Sequence, residues 1–401
     1  MVVGLAGIIL LGLLVDYCLR RIHVPGMIGL LVVGVVIGPY VLALLDPALL
    51  TVSADLRMIA LIVILLRAGF ALSTATLRRV WGRSALLACL PPLVEAGTIT
   101  ILGPLLLPLS TMESAMLGAI LAAVSPAVVV TLMTDFMKRR KGTDQGLPTL
   151  LLAAAAMNDV VVIVIFGVLM GFYTGVQVHL VWQVVGIPLS ILSGIGVGLG
   201  CGWGLYRLFH HFNPRATKRL LIVLGVAMAL VALEPHLNSR IPFAALLAIM
   251  AMGTVILEKN ETMAHEISAK LSKLWIFAEI LLFTLVGAQV DIHVAMQAGL
   301  AGIALIAVGL LARSAGTYLC LLGSTFTQPE RLFVVVAYLP KATVQAAIGG
   351  APLLAMQAAG MGIAPGEVIL AVAVLSIVLT APGGAWLIAR MGERILRDAR
   401  P

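Results

Sequence analysis

Residues 147–173, Leu147-Pro-Thr-Leu-Leu-Leu-Ala-Ala-Ala-Ala-Met-Asn158-Asp159-Val-Val-Val-Ile-Val-Ile-Phe-Gly-Val-Leu-Met-Gly-Phe-Tyr173, decide the fold class. A hydrocarbon layer about 30 Å thick is crossed by roughly 20 apolar residues in a helix, and this run is longer than that with Asp159 as its one charge. The rest of the chain reads the same way. Of 401 residues 61% are hydrophobic and 11% charged, with a mean hydropathy of +1.12. Soluble domains run nearer 45 to 50% apolar and about 25% charged, so an ordinary soluble protein is excluded. Apolar runs and their breakers place spans near 3–19, 25–45, 56–73, 84–107, 112–136, 147–173, 180–206, 219–234, 241–257, 274–290, 295–323, 331–356 and 367–389. The expectation is an all-α polytopic membrane protein with 13 transmembrane helices.

An odd number of spans puts the termini on opposite sides, and the basic residues choose between them. With the N-terminus outside and the C-terminus cytoplasmic, 21 of the 26 Lys and Arg residues fall on the inner side. Arg240 alone is outside, and Arg57, Arg67, Arg313 and Lys341 fall within spans. The expected address is the cell (plasma or inner) membrane. The net charge of +8 carries no basic run interleaved with aromatics, so no nucleic-acid partner is expected. The N-terminus lacks a basic n-region and a cleavage site, and 2–19 reads as a retained first span. Cys18, Cys89, Cys201 and Cys320 are scattered through apolar stretches and read as buried free thiols. His23, His179, His210, His211, His236, His265 and His293 fall in loops or at span ends, without metal-ligand spacing. No cofactor or resident metal is expected.

A charge inside hydrocarbon is costly, so each ionisable residue in mid-span is a functional candidate. Asp159 has no counter-ion on its own helix. A lone carboxylate there is neutralised either by a proton or by an arriving cation, which is the chemistry of trading one for the other. Asn158 beside it adds an amide carbonyl without a second charge. Glu95 in the fourth span and Arg313 in the eleventh are expected to meet, since an ion pair is the least costly way to keep both. Glu279 has no counter-ion legible in the sequence. Arg57 is close enough to a span end to snorkel, and Arg67 has carbonyls or water as its options.

Two spans carry a proline in mid-run: Ala123-Val-Ser125-Pro126-Ala-Val-Val-Val130 in the fifth and Tyr338-Leu-Pro340-Lys341-Ala-Thr343-Val-Gln345 in the twelfth. Proline removes a backbone hydrogen bond and clashes one turn back, so both helices are expected to break, with Ser125, Lys341 and Thr343 at the breaks. Interrupted helices in corresponding positions of two halves mark a transporter's midplane site. The fifth span is second of the trio 4–6, the twelfth second of 11–13, and the trios start on opposite faces. Two inverted six-helix repeats joined by a linker helix follow, with the two broken helices crossing. The glycines of the linker, Gly194 to Gly204, read as a close-packing face rather than a phosphate loop.

At these residues the chain resembles the cation/proton antiporter superfamily, and most closely the sodium/proton antiporters of its NHA-type branch. The likeness rests on Ser125-Pro-Ala-Val-Val-Val130, Asn158-Asp159, Leu282-Phe-Thr-Leu-Val-Gly-Ala288 and Leu339-Pro-Lys-Ala-Thr-Val-Gln-Ala-Ala-Ile348, and it extends over nearly the whole chain. It implies a homodimer, with 1–73 and 219–290 (spans 1–3 and 8–10) as a dimerisation domain. Residues 84–173 and 295–390 (spans 4–6 and 11–13) would be the core ion-transport domain, and 180–206 the linker. It implies alternating access, with Asp159 binding the transported monovalent cation or a proton, Asn158 and Ser125 beside it, and Arg313 and Glu95 as a supporting pair.

Many electrogenic members of that superfamily carry two consecutive aspartates where this chain has Asn158-Asp159. One carboxylate carries one exchangeable charge, and a guanidinium does not shed its proton. The expectation is therefore a non-enzymatic, electroneutral exchange of Na+ or Li+ for H+, serving pH homeostasis and sodium tolerance. Lys341 stands where it can balance carbonyl-rich helix ends at the crossing. The alternatives from sequence are a K+/H+ antiporter and a sodium-coupled symporter of an organic anion.

Overall fold

The computed structural model describes residues 2–21, 26–72, 74–174, 180–238, 242–290, 296 and 299–397, and among these the chain is helical with no strand. His23, His179, His293, Arg240 and Arg400 lie outside the described residues. The first half holds α1 (Val2–Arg21), α2 (Gly26–Ile37), α3 (Pro47–Thr51), α4 (Ser53–Gly69), α5 (Thr74–Leu106), α6 (Thr111–Leu121), α7 (Pro126–Lys138) and α8 (Leu147–Tyr173). It is followed by α9 (Leu180–Phe212), α10 (Ala216–Asn238), α11 (Ala245–Lys259), α12 (Glu261–Ala288), α13 (Gly299–Cys320), α14 (Gln328–Ala337), α15 (Thr343–Ile348), α16 (Ala351–Ala358) and α17 (Ala364–Ile395). Among the described residues, eight helices are long and apolar enough to cross a membrane, and α1 and α2 contain shorter apolar helices.

Every apolar segment read from the sequence holds a helix or a broken helix, but the boundaries move. Most helices outlast their runs. The fifth helix starts at Thr74 and carries Arg78, Arg79 and Arg83, while α12 starts at Glu261 and carries Lys270 and Lys273. An apolar run marks only where hydrocarbon ends. The backbone ladder continues through helix-forming Lys, Arg and Glu until a cap stops it, here Asn260, whose side chain accepts from the Met263 amide at 2.9 Å. Against the expected 25–45, α2 stops at Ile37. Pro39 has no N–H to continue the ladder and holds Gly38 out of the helical region, so the chain turns, with Ala43 at φ 49°. The twelfth segment breaks twice, at 338–342 and again at Gly349-Gly350.

Helices α5, α6, α7 and α8 pack with one another and with α13 and α17, and α14, α15 and α16 lie along α17. Helices α1, α2, α4, α10, α11 and α12 form a second packed set, with α9 along α11. The two sets touch where α4 meets α7, α8 meets α9 and α11, and α17 meets α2. The glycines of α9 divide by face. A Cβ on Gly194, Gly198 or Gly202 would strike the main chain of α11 and its N-cap at Ala244, Ala248 and Met252, whereas Gly196, Gly200 and Gly204 have nothing within 4 Å. Spacing of four residues puts the first three on one stripe, which lets the helices approach backbone to backbone. All four cysteines are free, but only Cys320 is buried; Cys18 is exposed and the other two are half-buried, which corrects the expectation of four buried thiols. Among the described residues no group of three or more His, Cys, Asp and Glu is placed to hold a metal ion.

Candidate ion site

Both expected breaks are present, and they touch. Helix α6 ends at Leu121 and α7 begins at Pro126; α14 ends at Ala337 and α15 begins at Thr343. The Ser125 amide donates to the Pro340 carbonyl at 2.9 Å, and the Lys341 amide donates to Thr380 Oγ1 on α17 at 2.9 Å. The Pro340 ring sits over Gly384, where a Cβ would lie 2.7 Å from its Cγ. Two unwound segments are thus pinned to each other and to one continuous helix.

An interrupted helix leaves carbonyls without donors, and in a membrane interior they must find partners inside the protein. Every carbonyl from Ile120 to Ala123 is met by a side chain from another helix or from the second break. Gln345 Nε2 donates to the carbonyls of Ile120 at 2.9 Å and Ala123 at 3.0 Å. Lys341 Nζ donates to the Leu121 carbonyl, and Arg313 Nη1 to the Ala122 carbonyl at 2.8 Å. The Ala122 carbonyl is the one whose helical partner would have been the amide of Pro126, which does not exist. Two cations therefore sit at the negative end of the α6 dipole.

Glu95 lies between those cations. One carboxylate oxygen accepts from Arg313 Nη1 and the other from Lys341 Nζ at 2.6 Å, with all three side chains almost fully buried. The pair expected from sequence is a triad, with the Arg313 guanidinium also 5.5 Å from the Tyr338 ring centroid. Buried charges in contact offset the cost of their desolvation only with close geometry and further hydrogen bonds, and the α6 carbonyls supply those bonds.

Asn158 and Asp159 face different surroundings. Pro92 lacks the N–H that would bond the Ala88 carbonyl in α5, and Asn158 Nδ2 reaches that carbonyl at 3.4 Å. Its Oδ1 accepts the Val124 amide at 2.9 Å, so Asn158 ties α8 to α5 and to the unwound segment. Asp159 is 3% exposed, and its Oδ1 has no hydrogen-bond partner among the described residues. It lines a cavity of about 620 Å³. Ile163 and Gly167, one and two turns further along α8, line it too, so the cavity runs from Asp159 toward the C-terminal end of that helix. The hydroxyls of Ser125 and Thr343 at the breaks are also buried, with no partner among the described residues.

A second cavity of about 710 Å³ holds Arg67, Asp135, Lys138, Glu279, Glu393 and Arg394 among its walls. Met58 lines the first cavity and Arg67 the second. Nine residues separate them on α4, roughly 13 Å along its axis. Arg67 stands 5.2 Å from the Trp275 ring centroid and within electrostatic range of Glu279, the residue for which the sequence offered no partner. Arg57 donates to Gln289 Oε1 at 2.6 Å and to the Ser53 carbonyl, joining α4 to the end of α12.

The transmembrane sodium/hydrogen exchanger family matches residues 6–391. The chain belongs to the sodium/hydrogen exchanger family. Its likeness to sodium/hydrogen exchanger 9B2 of Mus musculus is 34% identity over 358 residues, covering 86% of this chain and 64% of the mouse protein's length. Sodium/hydrogen exchanger 9B1 of Homo sapiens is 29% identical over 355 residues, with 86% of this chain and 67% of that protein covered. The fold matches that of the sodium proton antiporter MjNhaP1 from Methanocaldococcus jannaschii at pH 8 with a TM-score of 0.77, at 22% identity, covering 98% of this chain and 97% of that one. Family and apolar helices together make this a multi-pass membrane protein.

Three residues of the candidate site have little or no signal in the sequence. Gln345 lies four residues after Lys341 and caps the carbonyls of Ile120 and Ala123, on either side of those that Lys341 and Arg313 serve. Its polarity in an apolar run was the available signal. Thr380 looks like any membrane-helix threonine, and only the crossing gives its hydroxyl the Lys341 amide. Glu234 read as a span end, but it shares the cavity of Asp159.

Proposed function

We propose that the chain exchanges Na+ or Li+ for H+ by alternating access, electroneutrally and one for one, through Asp159. The single observation that carries this reading is the Asp159 carboxylate: buried, without a hydrogen-bond partner among the described residues, and at the end of a cavity. The neighbouring charges are committed elsewhere. Glu95 is held by two cations, and those cations neutralise both Glu95 and the α6 end. Asp159 is left to be balanced by something that enters, either a proton or a cation. The Ser125 and Thr343 hydroxyls, buried without partners among the described residues, are the further oxygens this reading assigns to the cation, and Asn158 holds the unwound segment against α8.

The architecture in this proposal is 13 crossings in two inverted six-helix repeats, N-terminus outside and C-terminus cytoplasmic in the cell membrane, acting as a homodimer. The set 1–73 and 219–290 serves as dimerisation scaffold, 180–206 as linker, and 84–173 with 295–390 as the moving core. What supports the division is that helices within each set pack along one another while few helix pairs join the sets. What supports the orientation is the clustering of Lys138, Arg139, Arg390 and Arg394 at the second cavity, away from Asp159. On this orientation Asp159 faces outward in the conformation described. Motion of the core against the scaffold would close its cavity and open it toward the basic side.

The test follows luminal pH in proteoliposomes after a Na+, Li+ or K+ pulse, with the membrane potential clamped or free, for wild type and Asp159→Asn. Proton movement with Na+ or Li+, indifferent to the clamp and absent in the variant, is the expected result. Faster exchange under the clamp would overturn electroneutrality, and retained exchange in Asp159→Asn would move the site elsewhere. Proton movement driven by K+ alone would replace sodium as the substrate.

A further inference from the structure

We propose that Glu234 forms a second, shallower position for the monovalent cation, in the same cavity that ends at Asp159. This rests on the reading of Asp159 as the transport carboxylate. The cavity is lined by helices from both packed sets, and its walls are mostly apolar: Met58, Ile163, Val164, Phe243 and Leu246 are among them. Among the described residues, Asp159 and Glu234 are the only ionisable ones that line it, and Ser190 is the only other polar side chain. A cation leaving bulk water for a cavity of this kind loses hydration that apolar walls do not replace. Fixed negative charge in a low-dielectric cleft raises the local cation concentration instead. Glu234 is half-buried and Asp159 buried, so a cation entering from bulk water has Glu234 to meet before the unpartnered oxygen of Asp159.

Glu234 is held in place for that role. It sits near the end of α10, and its Oε1 accepts the Ala245 amide at 3.3 Å. That amide opens α11, whose N-cap Ala244 has no side chain to cap it, so Glu234 supplies the cap from a neighbouring helix. Its second carboxylate oxygen makes no hydrogen bond among the described residues and remains for an ion. The two carboxylates ride on different helix sets. Helix α10 packs on α4, α11 and α12, while α8 packs on α5, α6 and α7. If the core moves, Asp159 moves and Glu234 stays. Glu234 therefore loads the carrier without itself carrying charge across, and a second acidic residue in the path is compatible with one-for-one exchange.

The ordinary role for this side chain is the α11 cap alone, and Glu234→Gln separates the two. The amide oxygen of Gln keeps the Ala245 bond while removing the charge. Initial rates are measured in proteoliposomes of determined orientation, with Na+ added on one side at a time. The expected result is a KM for Na+ raised roughly fivefold to tenfold on the side to which the cavity opens, a smaller effect on kcat, and no change in KM from the other side. Raising ionic strength with an impermeant salt should shrink the difference between wild type and variant. Glu234→Asp should recover most of the wild-type KM. An unchanged KM, an equal rise on both sides, or a fall in kcat at constant KM would overturn the proposal and leave a helix cap. Failure of the Asp159 reading shows separately, as exchange retained in Asp159→Asn.

Discussion

The main-chain bond from the Ser125 amide to the Pro340 carbonyl, 2.9 Å long, joins two helix interruptions that lie more than 200 residues apart in the chain. Each break exposes the polar backbone that the other satisfies, and neither is stable in hydrocarbon alone. The same economy extends to the side chains: Gln345, Lys341 and Arg313 serve the carbonyls that α6 leaves open.

Glu95→Gln leaves Arg313 and Lys341 buried against each other without a carboxylate. Breaking a buried ion pair by removing one partner costs about 3–5 kcal/mol. The expected outcome is a large fall in unfolding temperature in detergent. The double variant Glu95→Gln/Lys341→Gln should be less destabilised than Glu95→Gln alone, since it removes one of the stranded cations. Additive losses would mean the three charges are not coupled.

Gln345→Leu keeps the bulk of the side chain and removes both hydrogen bonds to the Ile120 and Ala123 carbonyls. Each buried carbonyl left without a donor costs about 1–3 kcal/mol. Stability should fall accordingly, and hydrogen exchange of the α6 amides should speed up while that of α11 does not change.

Asn158→Ala removes the acceptor of the Val124 amide and should slow exchange even though Asp159 is untouched. Asn158→Asp keeps an acceptor at that position and adds a second carboxylate. Its exchange should become sensitive to the membrane potential, read by the same pH assay with and without a clamp.

Gly198→Val pushes a branched side chain into the Ala248 main chain and should separate α9 from α11, with loss of stability. Gly200→Ala, on the face with nothing within 4 Å, should be tolerated or stabilising by about 0.5–1 kcal/mol through reduced backbone freedom. Thermal unfolding of the pair distinguishes a packing stripe from glycines that serve only flexibility.

Hydrophobic length and periodicity were enough to locate the long apolar helices, because a bilayer imposes the same physical demand on each, whereas the short α3 between two of them left no such mark. Helix ends such as Thr74 and Glu261 were misjudged for the same reason: a helix continuing into water has no apolar signature. The early stop at Ile37 has its signal in Gly38-Pro39, which the apolar residues continuing beyond it mask.

The sequence by itself determined the helical membrane class, the two proline breaks and the isolation of Asp159, all of which follow from a residue's cost in hydrocarbon. It also paired Glu95 with Arg313, since opposite charges in the same medium have little alternative. Only the tertiary structure decided that Lys341 completes a triad, that Gln345 and Thr380 secure the crossing, and that Glu234 shares a cavity with Asp159. Those relations join residues far apart in the chain, and a side chain's local sequence carries no record of which distant carbonyl or cavity wall it will meet. Backbone satisfaction inside the membrane selects the partners, and it is completed only when all the helices are packed.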